Sequence, residues 1–233
     1  MDTLNNAAEV PGPAGGPWHG VYPALVVDIK DPDNQGRVKV TLPLAPDPAH
    51  SRYEAWARLA TLMAGRNRGT WFVPDTGDEV LVAFQGGDPS VPFVIGALWN
   101  GKDGPPQAMD GSGSNVAKII RTRSGVAIEF SDSTGQESIT LRTPGGNKIV
   151  LQDGPGKLTI QDSNGNVVRF DSQGVSITAS NKLRIDASEV TVNASKVKVN
   201  AARVDASNEI TAKKITVDDV VASSYTPGAG NVL

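Results

Sequence analysis

The sequence contains no cysteine and only two histidines among its 233 residues. The absence of cysteine excludes disulfides, thiolate nucleophiles and cysteine-based metal sites. His19 and His50 both lie in loop-like stretches near the N-terminus and are interpreted as surface residues. A catalytic site needs a base, a nucleophile and an oxyanion or metal partner in one place. Because the sequence offers no such set, we predict a protein that is not an enzyme and that uses no cofactor or metal.

Aromatic residues are scarce and unevenly placed. They make up 5% of the chain, and nine of the twelve lie between Trp18 and Trp99. Phe130, Phe170 and Tyr225 are the only ones in the last 134 residues. The second half of the chain must therefore be stabilised without an aromatic core.

The chain also lacks a strong charge of either sign and a long apolar run. A net charge of −3 gives no field that would attract nucleic acid or an anionic membrane. No segment approaches the ~18 apolar residues of a membrane span. The N-terminal MDTLNNAAEV lacks the basic and then apolar pattern of a secretory signal, so we expect synthesis in the cytoplasm without a signal peptide.

The first half of the chain divides into an arm and a β-domain. Residues 1–16 are polar and then rich in proline and glycine, which predicts a flexible arm. Residues 17–104 alternate short strand patterns with Gly, Pro and Asp turns, which predicts a small barrel of the OB-fold type. The predicted strands are 22–29, 37–43, 53–61, 78–84 and 91–99, and the alanines of the third leave a helix possible there. Large aromatic side chains are predicted for the core: Trp56, Trp71, Phe84, Phe93 and Trp99.

A linker rich in Gly, Pro and Ser, residues 105–117, leads to a segment of different character. Strand-like pieces recur from residue 118 and then give way to a short repeat. Each repeat holds a β-branched residue, then Thr, Asp or Asn, then a small apolar residue, and usually Ser. The repeats begin five to eight residues apart, at Ile177, Ile185, Val192, Val199, Val204, Ile210 and Ile215.

A repeat of this length has room for one strand and one tight corner, which predicts a β-helix over residues 118–221. One such strand buries little surface in a lone chain, whereas three chains could enclose a continuous apolar core. The seven residues that begin the repeats are predicted to form that core. The predicted fold is therefore all-β, with an N-terminal OB-fold barrel and a C-terminal intertwined triple-stranded β-helix, a trimeric needle. Residues 222–233 break the repeat and are interpreted as its apex.

Three segments of the barrel carry a resemblance to a known family. DPDNQGRVKVTLP (31–43), PDTGDEVLVAF (74–84) and GGDPSVPFVIGALWNG (86–101) resemble the OB domain of phage baseplate assembly protein V and of VgrG proteins. Those proteins are central spikes of contractile injection machines, such as phage tails, pyocin-like particles, extracellular injection systems and type VI secretion systems. The β-helix after the barrel is also the family's architecture, so the resemblance extends over most of the chain.

The resemblance implies a structural, homotrimeric spike that docks on a baseplate hub and pierces the target envelope, with only transient contact with the target membrane. Because only 16 residues precede the barrel, we expect the hub to be a separate protein. Some relatives end in a histidine-rich apex that binds iron, which this chain cannot form because no histidine follows His50. A PAAR-type tip protein is expected instead, with its contacts in the C-terminal tail: Tyr225, Pro227, Gly228, Val232 and Leu233.

Three further features have more than one interpretation. Arg66 and Arg68 in GRNRGTWF (65–72) are predicted to contact the hub or a neighbouring chain, because the negative net charge disfavours nucleic acid. Asp31, Asp33 and Asn34 resemble the start of a calcium loop, but the rest of that motif is absent and a turn is predicted. The alternative function is a trimeric β-helical adhesin or a tail-fibre-like glycan-binding protein. It is disfavoured because residues 175–221 contain no aromatic side chain for stacking on sugars.

Overall fold

The computed structural model describes residues 17–43, 53–154 and 157–224 of the chain. Within these residues the regular structure is all-β apart from one short 3-10 turn, Gln85–Gly87. The chain divides into two compact units, Met1–Lys182 and Leu183–Leu233. The all-β class predicted from the sequence is confirmed.

Five strands close into a barrel at the start of the first unit. They are β1 (Val21–Asp28), β2 (Val38–Thr41), β3 (Glu54–Leu59), β6 (Glu79–Phe84) and β7 (Pro92–Ala97), joined in the order β1-β2-β3-β7-β6. The pairing of β3 with β7 is parallel and the other pairings are antiparallel. Each strand ends within two residues of its predicted bounds, and the third is a strand rather than a helix.

A small hairpin projects between β3 and β6. It consists of two-residue strands, β4 (Ala64–Gly65) and β5 (Arg68–Gly69), which pair antiparallel. No strand was predicted between residues 61 and 78. Arg66 lies in the turn of this hairpin and Arg68 at the start of β5, and both are exposed.

The barrel core is aliphatic, so the prediction of an aromatic core was wrong. Phe84 is the only one of the five predicted aromatic residues that is buried, whereas Trp71 and Trp99 are 76% and 70% exposed. Alternate residues of the strands fill the interior, because successive side chains of a strand point to opposite faces. The core residues are Ala24, Val26, Val38, Val40, Leu42, Ala57, Val80, Val82, Phe84 and Val94.

The same alternation explains why Trp56 and Phe93 lie outside the core. Trp56 precedes the buried Ala57, and it lies opposite Lys39 on β2, whose Nζ is 6.0 Å from the centre of the indole ring. The guanidinium of Arg58 lies 5.5 Å from the centre of the Phe93 ring. Both rings therefore contact cationic side chains on the outer surface of the barrel.

Aromatic residues do pack together at one end of the barrel. Trp18, Tyr22 and Tyr53 surround Phe84, with ring centres 5.2–6.0 Å apart. The backbone N–H of Trp18 donates to the carbonyl oxygen of Gly87 at 2.7 Å, which fixes the chain that enters β1. These side chains close the end of the barrel at which β6 ends and β1 begins.

The rest of the first unit is a seven-stranded antiparallel sheet whose strands follow one another in chain order. Five of the seven strands agree to within one residue with the strand-like pieces of the sequence, which are 126–130, 138–142, 148–153, 157–162 and 167–171. The strands β8 and β14 were missed as separate strands. This sheet pairs within one chain through hairpins, which the sequence analysis did not predict for the start of the β-helix at residue 118. The strands are β8 (Ala117–Arg121), β9 (Ala127–Ser131), β10 (Ser138–Arg142), β11 (Lys148–Gln152), β12 (Lys157–Gln161), β13 (Val167–Asp171) and β14 (Gly174–Thr178).

Residues 183–224 of the second unit contain no strand or helix, and all of them are exposed. Single bends recur along this segment, at the fourth residue of each repeat, so that each repeat contains one corner. The sequence Val220-Val-Ala-Ser, with a bend at Ser223, adds one repeat that was not predicted. The bends lie at residues 188, 195, 202, 207–208, 213, 218 and 223.

Candidate functional site

One face of the seven-stranded sheet carries two rows of apolar side chains that cross the strands. Residues that are aligned by the strand register, and residues two apart on one strand, share a face of the sheet. The first row is Ile120, Ile128, Leu141, Ile149, Ile160, Val168 and Ile177. The second row begins after Lys118 and comprises Phe130, Ile139, Leu151, Leu158, Phe170 and Val175.

None of the residues that the structure describes covers this apolar face. Ten of its thirteen apolar side chains are 36–62% exposed. A sheet with one apolar face is stable when that face packs against another layer, and an exposed patch of this extent marks an interaction surface. The single chain therefore presents an incomplete core over residues 117–178.

The opposite face of the sheet is polar and forms its own ion pairs. Arg142 donates to Glu129 Oε1 through Nη2 at 2.6 Å and through Nε at 2.9 Å, and Arg121 lies 3.7 Å from the same oxygen. The hydrogen bond from Arg142 lowers the pKa of the Glu129 carboxyl. Its polar residues and this charge cluster suit this face to water, whereas the apolar face is suited to a protein partner.

The predicted core residues of the β-helix are also exposed in the single chain. Ile177 ends the first apolar row of the sheet, and the other six lie in the second unit with 63–69% of each residue exposed. Leu183, Val190 and Val197 precede three of these residues by two positions, so they share their side of an extended chain. The sequence analysis missed these three because it followed one apolar position per repeat.

The hairpin beside the barrel forms a second exposed surface, which contains both apolar and cationic side chains. Leu62, Trp71 and Phe72 are between 72% and 97% exposed, and Arg66 and Arg68 lie between them in the chain. The backbone N–H of Thr70 donates to the carbonyl oxygen of Met63 at 3.0 Å, which holds the two arms together. We refer to residues 61–72 as the barrel hairpin.

The barrel hairpin contacts the loop between β1 and β2. The ring of Trp71 lies so close to Gly36 that a Cβ atom on that residue would come within 2.9 Å of it. Gly36 also has a φ of +74°, a conformation that other residues rarely adopt. Gly36 therefore allows both the turn and the contact with Trp71.

The loop between β1 and β2 is the predicted turn, and Asp31 organises it. Its carboxylate accepts hydrogen bonds from the backbone N–H groups of Asp33, Gln35 and Arg37. Arg37 also donates to Asp31 Oδ1 through Nη2 at 2.6 Å, and this contact holds the pKa of the Asp31 carboxyl well below its usual range. The carboxylate is thus occupied by groups of its own loop, which supports the turn over a calcium site.

A second turn leads into β6. Gly77 has a φ of +99°, and its N–H donates to the carbonyl oxygen of Val26 at 2.8 Å. The Asp78 carboxylate accepts from the backbone N–H of Asp75 at 2.8 Å. Asp75 also pairs with Arg123 of the β8–β9 turn at 2.8 Å, which links the sheet to the barrel within the first unit.

No group of three or more His, Asp or Glu residues is arranged to hold a metal ion among residues 17–43, 53–154 and 157–224. Across the same ranges, no helix is long and apolar enough to cross a membrane. His19 is exposed, as predicted, while His50 is not among the residues that the structure describes. The predicted tip contacts also lie outside the described residues: Tyr225, Pro227, Gly228, Val232 and Leu233.

Two family models match the chain, one over the barrel and one over the sheet and the repeats. The type VI secretion system/phage-baseplate injector OB domain matches residues 22–99, which include the barrel and its hairpin. The phage baseplate V C-terminal trimerisation domain matches residues 138–205, from β10 into the repeats. The chain belongs to the family of phage baseplate V and VgrG spike proteins. The resemblance carried by the barrel motifs is confirmed, and the second match supports a homotrimer of this spike-family chain.

Several VgrG proteins are similar to this spike-family chain. Type VI secretion system spike protein VgrG3 of Vibrio cholerae is 31% identical over 113 residues, which are 47% of this chain and 11% of that protein. Spike protein VgrG1b of Pseudomonas aeruginosa is 26% identical over 128 residues, 52% of this chain and 17% of that protein. Actin cross-linking toxin VgrG1 of Vibrio cholerae is 28% identical over 113 residues, 47% of this chain and 10% of that protein. The chain therefore corresponds to less than a fifth of the length of these relatives.

Proposed function

We propose that this chain is the central spike of a contractile injection machine, and that three copies assemble to pierce a target envelope. The observation that carries the proposal is the uncovered apolar face of the β8–β14 sheet, which is followed by repeats whose apolar residues are exposed as well. The trimerisation-domain match spans part of both segments. Three copies that turn these surfaces toward a common axis would bury them together.

The proposed role is mechanical, and we assign the chain no reaction. A spike under compression needs a shaft in which every strand edge is covered and few loops project. Residues 183–224 have short corners and no strand pairing within the chain, so pairing between chains would supply the hydrogen bonds of their backbone. The β8–β14 sheet would form a wider section of the spike, next to the barrel.

Docking on the machine is assigned to the barrel hairpin. Its exposed apolar residues and its two arginines form a surface that a separate hub protein could cover, with acidic groups opposite Arg66 and Arg68. A PAAR-type tip protein on the C-terminal tail completes the proposed spike. After synthesis in the cytoplasm the spike would become part of an assembled phage tail or injection particle.

The first test is the oligomeric state of the purified full-length chain. Light scattering should give the mass of three chains of 24.3 kDa each. A monomer at micromolar concentration would contradict the spike proposal, because neither apolar surface would then be covered.

A second test addresses docking on the hub of the source organism. Replacement of Arg66 and Arg68 with Glu should weaken capture of the purified hub protein and leave the trimer intact. The matched control replaces Lys102 and Lys157, two other exposed cations, with Glu. Equal hub capture by both double variants would show that the barrel hairpin is not the docking surface.

A further inference from the structure

A charged residue directly follows each of six successive bends in the second unit. All six side chains are exposed, and each directly precedes a Val or Ile of the apolar series. The sign of the charge reverses at four of the five steps from one bend to the next, the exception being Lys196 to Arg203. The six residues are Glu189, Lys196, Arg203, Glu209, Lys214 and Asp219.

The proposed trimer gives these positions a definite relation to one another, and the inference rests on that trimer. Suppose that each repeat runs along one face of a threefold shaft and that the bend after it turns the chain onto the next face. A repeat of one copy then lies on the same face as the preceding repeat of the neighbouring copy. The two strands then lie side by side at the spacing of paired strands, about 4.8 Å. Equivalent positions of successive repeats, such as 189 and 196, therefore meet across the boundary between two copies.

We propose that the charged residues after the bends form ion pairs between copies along the corners of the shaft. We refer to this series of ion pairs as the ladder. Glu189 of one copy pairs with Lys196 of the next, and the same relation joins Arg203 with Glu209, Glu209 with Lys214, and Lys214 with Asp219. The like charges of Lys196 and Arg203 are compensated within the chain, because Arg203 Nε lies 2.7 Å from Asp205 Oδ1. The partner is thus a second copy of this chain, displaced by one repeat.

The charges distinguish this register from its alternatives. Three copies in which equal residue numbers lie side by side would bring like charges together at all six positions. A displacement of two repeats would give two opposite pairs and two like pairs. Exposed ion pairs contribute little to stability, so the expected role of this series is to select one register among strands whose small apolar residues could slide.

Cross-linking can test the register directly, since the chain has no cysteine of its own. The full-length double variant Glu189→Cys/Lys196→Cys should form disulfides between copies, because neighbouring strands allow the Cα separation of 4.4–6.8 Å typical of disulfides. After mild oxidation, a denaturing gel without reductant should show most of the protein as covalently closed trimers. Reductant should return it to single chains.

Matched variants identify the displacement. Glu189→Cys alone, and Glu189→Cys/Arg203→Cys with its cysteines two repeats apart, should remain single chains under the same oxidation. If the unmodified protein is a trimer by light scattering but Glu189→Cys/Lys196→Cys gives no covalent trimer, the ladder is wrong and the spike proposal stands. If the unmodified protein is a monomer, both fail.

A charge variant supplies a readout that does not depend on disulfide geometry. Glu209→Lys makes the contacts with both Arg203 and Lys214 like-charged. Lys196→Glu makes the contact with Glu189 like-charged but the contact with Arg203 oppositely charged, so the number of opposite pairs does not change. We expect the Glu209→Lys trimer to dissociate about tenfold faster than the Lys196→Glu trimer at low salt, with six such contacts changed per trimer. The difference should vanish in 1 M NaCl, where the Debye length is about 3 Å. Equal dissociation rates at low salt would overturn the ladder.

Discussion

The replacement of Val192 by Asp is the sharpest single test of the shared core. Val192 is 67% exposed in the single chain, so about two thirds of its burial would come from trimer formation. Complete burial of a valine contributes about 1.5–3 kcal/mol, which gives about 1–2 kcal/mol per chain and about 3–6 kcal/mol for the three copies at one level. A buried carboxylate forfeits this gain and adds a desolvation cost of several kcal/mol per ion.

The combined effect of Val192→Asp is therefore about 10 kcal/mol or more per trimer. Since about 1.4 kcal/mol corresponds to a factor of ten, the association constant should fall by about seven orders of magnitude. At micromolar concentration the variant should be a monomer by light scattering coupled to size-exclusion chromatography. Val192→Ala, which removes apolar surface without adding charge, should remain a trimer with a lower melting temperature.

Asn193→Asp is the matched control, because it places the same charge one residue further along the chain. In an extended strand residue 193 points away from the side occupied by Val192, so its charge should remain in water. We expect this variant to form trimers that melt close to the unmodified protein. A Val192→Asp trimer with an unchanged melting temperature would refute the reasoning, because Val192 would then point outward.

Three other predictions concern the barrel and are checked by thermal or denaturant unfolding. Gly87→Ala should lower the melting temperature and disturb Trp18 fluorescence, because the added Cβ would come 2.7 Å from Pro17. Gly86 also has a positive φ but open space around it, so Gly86→Ala measures the cost of the backbone conformation alone. Burial raises the pKa of Tyr53 to about 12, so the stability that its neutral phenol contributes should be present below pH 10 and lost toward pH 12, and Tyr53→Phe should remove that dependence. The lowered pKa of Asp31 means that stability is lost as pH falls below its ordinary value of 3.8, and Asp31→Asn should show a smaller loss in acid.

The strands of the barrel could be predicted because their signals are local. Turn residues bracket each strand, and Val38, Val40, Val80 and Val82 alternate with more exposed residues within short segments. The core was mispredicted because aromatic character was taken to indicate burial. Trp56 lies between two alanines, and the alternation of its strand places Ala57 inside the barrel.

The apolar face of the β8–β14 sheet could not be derived from the sequence alone. Each strand from β9 to β14 shows two alternating apolar residues, such as Ile139 and Leu141, but the position of the face depends on how seven strands align. A shift of one residue in any pairing would move those side chains to the opposite face. The register is what joins Ile120 at one edge to Ile177 at the other in a single surface.

The length of the connections explains why similar strand sequences find different partners in the two units. Five residues separate β8 from β9, which is enough for a hairpin that reverses the chain and pairs it with itself. In residues 183–224 the corners are bends of one or two residues, and the segments between them form no strand pairs within the chain. On our proposal, the place beside each of these segments is taken by another copy of the chain. Short corners therefore convert an apolar sheet that one chain can build into a core that, on our proposal, requires three.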